Sequence, residues 1–348
     1  MSDEIRSWIA EALYSHPEIS CPQPLKLNPI AGDAGFRRYF RLNTRPSLLL
    51  VTAPRGAGPS ESAAHFAELS QNLRDFGIPT PKVFACDGDR NRSLIEDFGT
   101  QSLLDVLDCD SADLLYGEAL MLLLRLQQLP AARLPLPRYD QSCLRQEMQL
   151  FTEWFVNQLL GLQLSSDERH LLEDTFAYLE QQALEQPRVL VHRDFHSRNL
   201  IYRPGKAPGV IDFQDAVWGP ITYDLVSLLK DCYIFWSAEQ VKRWMTTYAN
   251  LAIESGILPP ISGDQWQYWF DCMGLQRHIK VLGIFSRLHL RDGKSHYLND
   301  LPLVWHYVLE MIRVYPELKF FSQWCYLRLQ PLIAIQPWYR KITSSSKS

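Results

Sequence analysis

Residues 189–202 read VLVHRDFHSRNLIY, and this stretch decides the fold. The apolar run Val189–Val191 is typical of a buried strand, and a second apolar run begins at Leu200. Six side chains with a charged, imidazole or amide group stand between the two runs: His192, Arg193, Asp194, His196, Arg198 and Asn199. An ordinary surface turn would contain Gly, Pro or Ser instead. Because such groups are costly to bring near a core without partners, the pattern indicates a functional loop between two strands.

The second apolar run is followed by the turn-rich segment RPGKAPG and then by Val210 and Ile211. We expect the residues on either side of that turn to pair as a short hairpin. Asn199 stands just before the outgoing strand and Asp212 just after the returning strand, so the hairpin brings them to the same end. An amide oxygen and a carboxylate there suit Mg²⁺, a hard cation that also binds substrate phosphates. Asn199 and Asp212 are therefore the predicted metal ligands.

Asp194 lies five residues before Asn199, and we expect it to lie close to the predicted metal site. A carboxylate outside the coordination shell of a metal can accept a proton from an attacking hydroxyl group. A metal, its bound phosphates and such a base are the parts needed for phosphoryl transfer, in which positioning and charge neutralisation provide most of the catalysis. Asp194 is therefore the predicted catalytic base.

The same residues match the catalytic signature of protein kinases, which is His-Arg-Asp, then Asn five residues after the Asp, then Asp-Phe. Here the signature is HRD at 192–194, Asn199 and Asp212-Phe213. His196 and the segment IDFQDAVWGPITYDLVSLL make the chain more similar to the aminoglycoside and choline phosphotransferase family, which shares the kinase-like fold.

This resemblance implies an α+β, bilobal, protein-kinase-like fold that uses ATP and Mg²⁺, with a small sheet-rich N-terminal lobe and a larger, mainly helical C-terminal lobe. The hydrophobic periodicity agrees, because residues 25–99 read as short strands with one helix and the rest reads as helical apart from 189–213. We expect a nucleotide-binding lobe at 1–99, a helical lobe with the catalytic loop and acceptor site at 100–340, and a disordered tail at 341–348.

Two charged residues are predicted to support the catalytic loop. Arg193, which we group with the catalytic residues Asp194 and Asn199, is expected to order the loop through its guanidinium group. Asp224, in the segment TYDLVSLL, has two interpretations. It is either the N-cap of the helix that follows or, as the family resemblance implies, a group that holds the catalytic loop.

On the nucleotide side, the segment AGDAGFRRYFRL stands where the family has its phosphate-covering loop. Gly32 and Gly35 would permit close approach of the backbone to phosphates. Arg37 and Arg38 are the predicted phosphate contacts; the alternative is that both arginines lie on a solvated strand.

We place adenine against the hinge segment 96–99, where Glu96 and Phe98 are the predicted contacts. Kinases also carry a lysine on the third strand, paired with a helix glutamate. The corresponding strand here, SLLLVTAPRG, has Val51 or Thr52 at that position. The candidates to replace the lysine are Arg37, Arg38 and Arg41, unless catalysis proceeds without such a cation.

Further segments narrow the resemblance within the family. From about residue 30 to 305, and above all at 276–301, the chain resembles the bacterial amino-sugar kinases of cell-wall recycling. The resemblance implies phosphorylation of the anomeric hydroxyl group of N-acetylmuramate and N-acetylglucosamine. A small-molecule amino sugar is therefore the expected acceptor.

Muramate carries a lactyl carboxylate, so cations are expected at the acceptor site. The segment QRHIK supplies Arg277, His278 and Lys280, of which the first and last share a face of the predicted helix. Arg198 and Gln214 flank the catalytic loop and the metal site and, with the catalytic aspartate, complete the predicted acceptor contacts. The alternative for the cations is a solvated basic helix face.

Two rival functions remain open on the sequence. One is a kinase for another alcohol, such as an aminoglycoside or a choline-like molecule, although cationic acceptors would call for an acidic, aromatic cleft. The other is a non-catalytic kinase-like protein that binds nucleotide, which the missing strand lysine favours. The presence of Asp194, Asn199 and Asp212 together favours catalysis instead.

Composition excludes several other classes. The formal net charge is −4, from 35 basic and 39 acidic residues, which disfavours a nucleic-acid binder. The seven cysteines form no Cys-x-x-Cys pair, which favours reduced thiols. The N-terminus lacks the features of a signal peptide, and no apolar run approaches about 18 residues. We therefore expect a cytoplasmic monomer with no membrane or nucleic-acid partner.

Overall fold

The computed structural model describes residues 3–30, 37–54, 56, 58 and 61–342. The chain divides into two compact units. The first unit comprises Met1–Val106, Ala132–Leu134 and Arg198–Asp215, and the second comprises Leu107–Ala131, Pro135–Ser197 and Ala216–Ser348. The boundary expected after residue 99 differs from this grouping, chiefly because the segment with the predicted metal ligands belongs to the first unit.

The first unit is built around one sheet. Its elements up to residue 106 are α1 (Asp3–Tyr14), β1 (Leu27–Ile30), β2 (Arg38–Leu42), β3 (Leu48–Thr52), α2 (Ala63–Asp75), β4 (Val83–Asp87), β5 (Arg92–Glu96) and α3 (Leu103–Val106). The five strands are antiparallel, in the order β1-β2-β3-β5-β4. The register places Arg38 opposite Thr52 and Leu48 opposite Glu96. The strand-rich pattern predicted for 25–99 is confirmed.

The core of this sheet consists of aliphatic side chains from alternate strand positions and from α1. Its fully or almost fully buried members are Ile9, Leu13, Leu42, Leu48, Leu50 and Leu94. Helix α2 begins at Ala63 because Ser62 is its N-cap, and the Ser62 hydroxyl oxygen accepts a hydrogen bond from the backbone N–H of His65. The first unit thus forms from local signals, alternation in the strands and a cap at the helix.

The remaining helices and strands lie after residue 106. They are α4 (Ala112–Gln127), α5 (Gln141–Leu150), a π-helix (Phe151–Leu159), α6 (Ser166–Leu184), β6 (Arg188–Val191), β7 (Leu200–Ile201), β8 (Gly209–Val210), β9 (Val217–Pro220), α7 (Tyr223–Leu229), α8 (Ala238–Glu254), α9 (Gly263–Leu290), α10 (Leu301–Ile312), α11 (Lys319–Trp324), a second π-helix (Cys325–Leu329) and α12 (Gln330–Ala334). Short 3₁₀ turns lie at Ala131–Arg133, Ser295–Asn299 and Pro316–Leu318.

Helix α9 is the central element of the second unit. It is 28 residues long and is buried along most of its length. At Gly283 it meets the start of the π-helix so closely that an added Cβ would lie 2.4 Å from the carbonyl carbon of Leu150 and 2.5 Å from the nitrogen of Phe151. Only a residue without a Cβ permits this approach. The approach seats α9 inside the unit, and with it the residues of the QRHIK segment.

Two short strand pairs fix the ends of the catalytic loop. In the second unit β6 pairs antiparallel with β9, with Val191 opposite Val217. In the first unit β7 pairs with β8, with Leu200 opposite Val210, so the predicted hairpin is confirmed. The expectation that 189–213 holds all the strand structure after residue 100 is wrong, because β9 at Val217–Pro220 also pairs. Strand β9 was not predicted because it ends in Gly219-Pro220, a pair that is typical of turns.

Two expectations from composition can be compared with the structure. All seven cysteines are free thiols. Within the described part of the chain, no helix combines the length and the apolar character that crossing a membrane requires.

Candidate active site

The catalytic loop begins where β6 ends, and its first residues have an unusual backbone. Arg193 has a φ of 77°, in the left-handed region that non-glycine residues seldom occupy. The buried Asp224 accepts hydrogen bonds from the backbone N–H of His192, at 2.6 Å, and of Arg193, at 3.0 Å. These bonds offset the cost of the left-handed conformation and set the direction in which the chain leaves for Asp194.

The role of Asp224 decides between its two interpretations. The N-cap position of α7 is Thr222, whereas Asp224 lies in the first turn of that helix and is fully buried. The N-cap interpretation is therefore wrong, and the carboxylate holds the catalytic loop. Burial raises the pKa of Asp224 to about 7, against the opposing effect of the backbone N–H groups of His192 and Arg193.

A second buried carboxylate holds the far end of the same loop. Asp231 accepts hydrogen bonds from the backbone N–H of Ser197, at 3.0 Å, and from its hydroxyl group, at 2.5 Å. It also accepts from the backbone N–H of Tyr233, whose ring meets the imidazole of His196 edge-on at 5.4 Å. The sequence reasoning missed Asp231, although an aspartate two residues after the end of an apolar helix was a possible signal.

The Arg193 side chain is bound by a glutamate that the sequence reasoning also missed. Glu147, on α5, accepts a hydrogen bond from a terminal nitrogen of Arg193 at 2.5 Å. Its other carboxylate oxygen accepts from the Tyr139 hydroxyl group, and Lys280 Nζ lies 3.0 Å from its Oε1. Arg193 is thereby fixed in place by Glu147, and its role in ordering the loop stays a prediction.

Asp194 follows in a strongly positive environment. Burial acts to raise its pKa, but the charges of Lys280, His196 and Arg277 outweigh burial and hold the pKa of Asp194 at about 2. The carboxylate is therefore ionised at neutral pH. An ionised carboxylate in a rigid loop can accept a hydrogen bond from a hydroxyl group and orient its oxygen for attack.

Two of the predicted acceptor contacts, Arg277 and Lys280, lie in this buried network. Arg277 is 3% exposed and donates to the backbone carbonyl of Arg193 at 3.4 Å. Lys280 is 5% exposed and donates to the Tyr223 hydroxyl group at 2.7 Å. The interpretation as a solvated basic face is therefore wrong for both. Their contact with a sugar stays a prediction.

His278, the third member of the QRHIK set, points elsewhere. Its imidazole stacks on Tyr307 with 4.8 Å between ring centres, and Nε2 lies 3.1 Å from the carbonyl oxygen of Lys230. Burial, together with the charges of Lys230 and Arg277, lowers the pKa of His278 to about 3, although the backbone hydrogen bond opposes the shift. His278 thus contacts core residues of the second unit rather than the catalytic loop.

The first unit holds the two predicted metal ligands at one end of the β7–β8 hairpin. The backbone N–H of Ile211 donates to the carbonyl oxygen of Asn199 at 3.1 Å, which places Asn199 beside the residue that precedes Asp212. Asp212 is exposed and has a φ of 64°. Arg198, partly buried, directly precedes Asn199.

Gln214 completes the oxygen-rich end of the hairpin. Its Nε2 donates to Asp212 Oδ1 at 2.7 Å, and its Oε1 is buried with no hydrogen-bond partner among the described residues. Within the same described part of the chain, no three His, Cys, Asp or Glu side chains have metal-binding geometry. A cation here would therefore depend on amide and carboxylate oxygens and on substrate phosphates. That donor set fits Mg²⁺.

The residues predicted to contact the nucleotide phosphates differ in their surroundings. Gly32 and Gly35 lie outside the described residues. Arg38 is exposed on β2, whereas the Arg37 side chain is 8% exposed, with Nε 3.4 Å from Glu61 Oε2. Arg37 lines a cavity together with Tyr39, Val51, Ala53, Glu61, Ala63, Phe66, Asn91, Ser93 and Ile95. Val51, one of the two candidate positions for the kinase lysine on β3, therefore lines the same cavity as Arg37.

The hinge side chains form contacts within the first unit. Arg41 forms a bidentate ion pair with Asp97, at 2.6 and 2.9 Å, and so already has a carboxylate partner. Glu96 accepts from the backbone N–H of Lys82 at 3.1 Å. The Phe98 ring lies so close to Gly209 that an added Cβ would approach it to 2.4 Å. Adenine contact by Glu96 and Phe98 stays a prediction.

Sequence comparison agrees with this geometry. The sequence profile of the phosphotransferase enzyme family matches residues 26–257. The chain belongs to this family. It is 40% identical over 293 residues to the N-acetylmuramate/N-acetylglucosamine kinase of Pseudomonas putida. The aligned residues cover 84% of this chain and 85% of that protein. It is 39% identical over 295 residues to the enzyme of the same name from Neisseria meningitidis, and this alignment covers 83% of this chain and 86% of that enzyme.

Solved structures of other phosphotransferases have the same fold. The ADP-bound aminoglycoside phosphotransferase APH(2'')-Ib gives a TM-score of 0.58 at 16% identity, over 88% of this chain and 98% of that one. The choline kinase LicA of Streptococcus pneumoniae gives 0.59 at 14% identity, over 88% and 100%. At these identities the likeness shows the fold alone, and the predicted kinase-like fold is confirmed.

The buried imidazole of His278 predicts a pH dependence of stability. The pKa of His278 is about 3 in the folded phosphotransferase, against an ordinary value of 6.5. Below about pH 6.5 the unfolded chain takes up a proton that the folded chain does not, so stability falls as the pH falls. His278→Gln removes this titration. Between about pH 7.5 and about pH 5.5, wild type should lose about 1 kcal/mol more unfolding free energy than the variant.

Urea unfolding at both pH values measures this difference. His170→Gln, at an exposed position of α6, is the control and should follow wild type. Parallel losses in wild type and His278→Gln would contradict the prediction.

Proposed function

We propose that this phosphotransferase is a sugar kinase that transfers the γ-phosphoryl group of ATP to the anomeric hydroxyl group of N-acetylmuramate and N-acetylglucosamine, in the cytoplasm, during peptidoglycan recycling. The observation that carries the chemistry is the ionised Asp194 in a loop held at both ends by buried carboxylates. The choice of acceptor is supported by relatives at 39–40% identity that bear that name.

In this proposal Asp194 accepts a hydrogen bond from the anomeric hydroxyl group and aims its oxygen at the γ-phosphorus. As the new P–O bond forms and the bond to the departing ADP breaks, the proton passes to Asp194. A low pKa does not oppose this role, because phosphoryl transfer passes through a loose transition state in which positioning outweighs basicity. The anomeric hydroxyl group is also more acidic than an ordinary alcohol, because the ring oxygen withdraws electron density.

Asn199 and Asp212 would hold Mg²⁺, with Gln214 fixing the orientation of the Asp212 carboxylate. When bound, the cation neutralises charge on the ATP phosphates. Gln214 Oε1 is buried and has no hydrogen-bond partner among the residues that the structure describes, which supports a role for this side chain toward a bound cation or acceptor.

Arg37 is our proposal for the cation that replaces the strand lysine of kinases. It directly precedes β2 and lines the same cavity as Val51 on the neighbouring strand β3. Glu61 lies beside its guanidinium group, as the helix glutamate lies beside the kinase lysine. A planar guanidinium group can bind phosphate oxygens in a bidentate manner, which suits it to this replacement.

A panel of acceptors tests the proposed reaction. With Mg-ATP, ADP should form in the presence of N-acetylmuramate and N-acetylglucosamine and not in the presence of kanamycin or choline. The methyl glycoside of N-acetylglucosamine lacks a free anomeric hydroxyl group, so it should not react. Coupled ADP release measures turnover, and phosphorus NMR of the product identifies the phosphorylated oxygen.

Two results would contradict the proposal. Turnover of the methyl glycoside would show that another hydroxyl group is phosphorylated. Turnover of kanamycin or choline alone, or bound nucleotide without turnover of any acceptor, would favour a different kinase or a non-catalytic protein.

The role of Arg37 has a separate test in nucleotide binding. Arg37→Ala should weaken the binding of ATP and ADP about 10- to 100-fold, because charge-assisted hydrogen bonds to phosphate are lost. Adenosine, which has no phosphate, should bind equally to variant and wild type. Isothermal titration calorimetry measures all three affinities, and Arg38→Ala is the matched control on the exposed neighbour. An equal loss for adenosine would indicate a damaged cavity and contradict the assignment.

A further inference from the structure

The backbone at the end of the β7–β8 hairpin needs an explanation. Asp212, a proposed Mg²⁺ ligand, has a φ of 64°, in the left-handed region that a residue with a Cβ seldom adopts. Such a conformation is costly and persists only where the surrounding structure holds the chain in place. Before Asp212, the backbone N–H of Ile211 donates to the carbonyl oxygen of Asn199 at 3.1 Å. The chain after Asp212 must be held by other contacts.

Those contacts come from two neighbouring residues of helix α2. The Phe66 ring stacks on the Phe213 ring, with 4.9 Å between the ring centres, and Phe213 is 1% exposed. His65 Nε2 lies 3.2 Å from the backbone carbonyl oxygen of Gln214. Because a carbonyl oxygen only accepts hydrogen bonds, Nε2 carries the hydrogen and the imidazole donates. Consecutive residues of the helix thus hold the two consecutive residues that follow Asp212.

Helix α2 is itself fixed to the segment that also binds the hairpin. The Ser70 hydroxyl group, in the second half of the helix, donates to the carbonyl oxygen of Pro81 at 2.7 Å. The carbonyl oxygen of Pro79 accepts from the backbone N–H of Val210, on β8, at 2.8 Å. At the start of the helix, Asn91 Oδ1 accepts from the first backbone N–H at 2.7 Å. The helix can therefore act as a fixed support for the residues after the hairpin.

The Gln214 side chain connects this support to the Asp212 carboxylate. Its Nε2 donates to Asp212 Oδ1 at 2.7 Å. The position of the amide depends on the position of the Gln214 backbone, which the His65 imidazole holds at the carbonyl oxygen. A shift of that backbone would therefore move the amide and, with it, the carboxylate that the amide orients.

We propose that His65 is a positioning residue for the metal site, which donates to the Gln214 carbonyl oxygen and so holds the Asp212 carboxylate in the orientation that binds Mg²⁺. This role rests on the proposed function, in which Asp212 is a metal ligand. Without the imidazole donor, the left-handed conformation of Asp212 loses one of its supports, and the carboxylate adopts orientations that do not bind the cation. Groups that orient a metal ligand typically change metal affinity about 10- to 100-fold when they are removed.

Binding of Mn²⁺ tests this role without turnover. Mn²⁺ replaces Mg²⁺ and is followed by electron paramagnetic resonance, with a non-hydrolysable ATP analogue present and a titration of the analogue alone as reference. His65→Leu removes the donor, and Mn²⁺ should bind about tenfold more weakly to the complex. In EDTA, the affinity for the analogue should be unchanged. His65→Gln places an amide N–H where Nε2 lies and should bind Mn²⁺ nearly as tightly as wild type.

His16→Leu is the matched control. His16 Nε2 also lies 3.2 Å from a backbone carbonyl oxygen, that of Phe84 in the same unit, and its side chain is also partly buried. This variant should lower the unfolding midpoint about as much as His65→Leu without changing the affinity for Mn²⁺. If His65→Leu does not fold, His65→Asn, whose shorter side chain does not reach the carbonyl oxygen, should show the same loss of affinity.

The outcomes separate this role from the proposed function. An unchanged Mn²⁺ affinity in His65→Leu overturns the role, as does an equal loss in His16→Leu or a failure of His65→Gln to restore binding. Wild type that binds no Mn²⁺ beyond the analogue alone overturns the metal site and this role with it. Wild type that binds Mn²⁺ but phosphorylates no amino sugar overturns the proposed function, while the Mn²⁺ affinities of the variants still decide the role of His65.

Discussion

The structure depends on one arrangement, the pair of hydrogen bonds from the backbone of His192 and Arg193 to the buried carboxylate of Asp224. These bonds hold Arg193 in a left-handed conformation that costs about 1–3 kcal/mol for a residue with a side chain. They therefore fix the course of the backbone between the end of β6 and the next residue, Asp194. Asp231 does the same at the far end through Ser197.

The loop also depends on buried groups of opposite charge that lie beside it. Helix α9 brings two cations into the interior of the second unit, and α5 brings the Glu147 carboxylate that pairs with one of them. Removing one partner of a buried pair typically costs about 3–5 kcal/mol, because the other charge is left without compensation. The arrangement is thus stable only as a complete set. This explains how an aspartate in a largely buried loop stays ionised.

The sequence predicted the parts of the site that depend on local order. The β7–β8 hairpin followed from two apolar runs around a turn, and the loop residues followed from a signature confined to 192–213. Contacts between distant segments were not predictable. Helical periodicity marks Glu147 as a polar position on α5, but it does not reveal that α9 buries it with Lys280. Basic residues on a helix usually face solvent, so the burial of Arg277 and Lys280 had no signal in the sequence.

The central claim is that Asp194 serves the chemical step and not the binding of nucleotide. Asp194→Asn preserves the size of the side chain and removes its negative charge. Single-turnover kinetics with N-acetylglucosamine should show a loss of about a thousandfold in the rate of phosphoryl transfer. Calorimetry should show an unchanged affinity for Mg-ATP. A variant that binds Mg-ATP normally and retains most of its turnover would contradict the account.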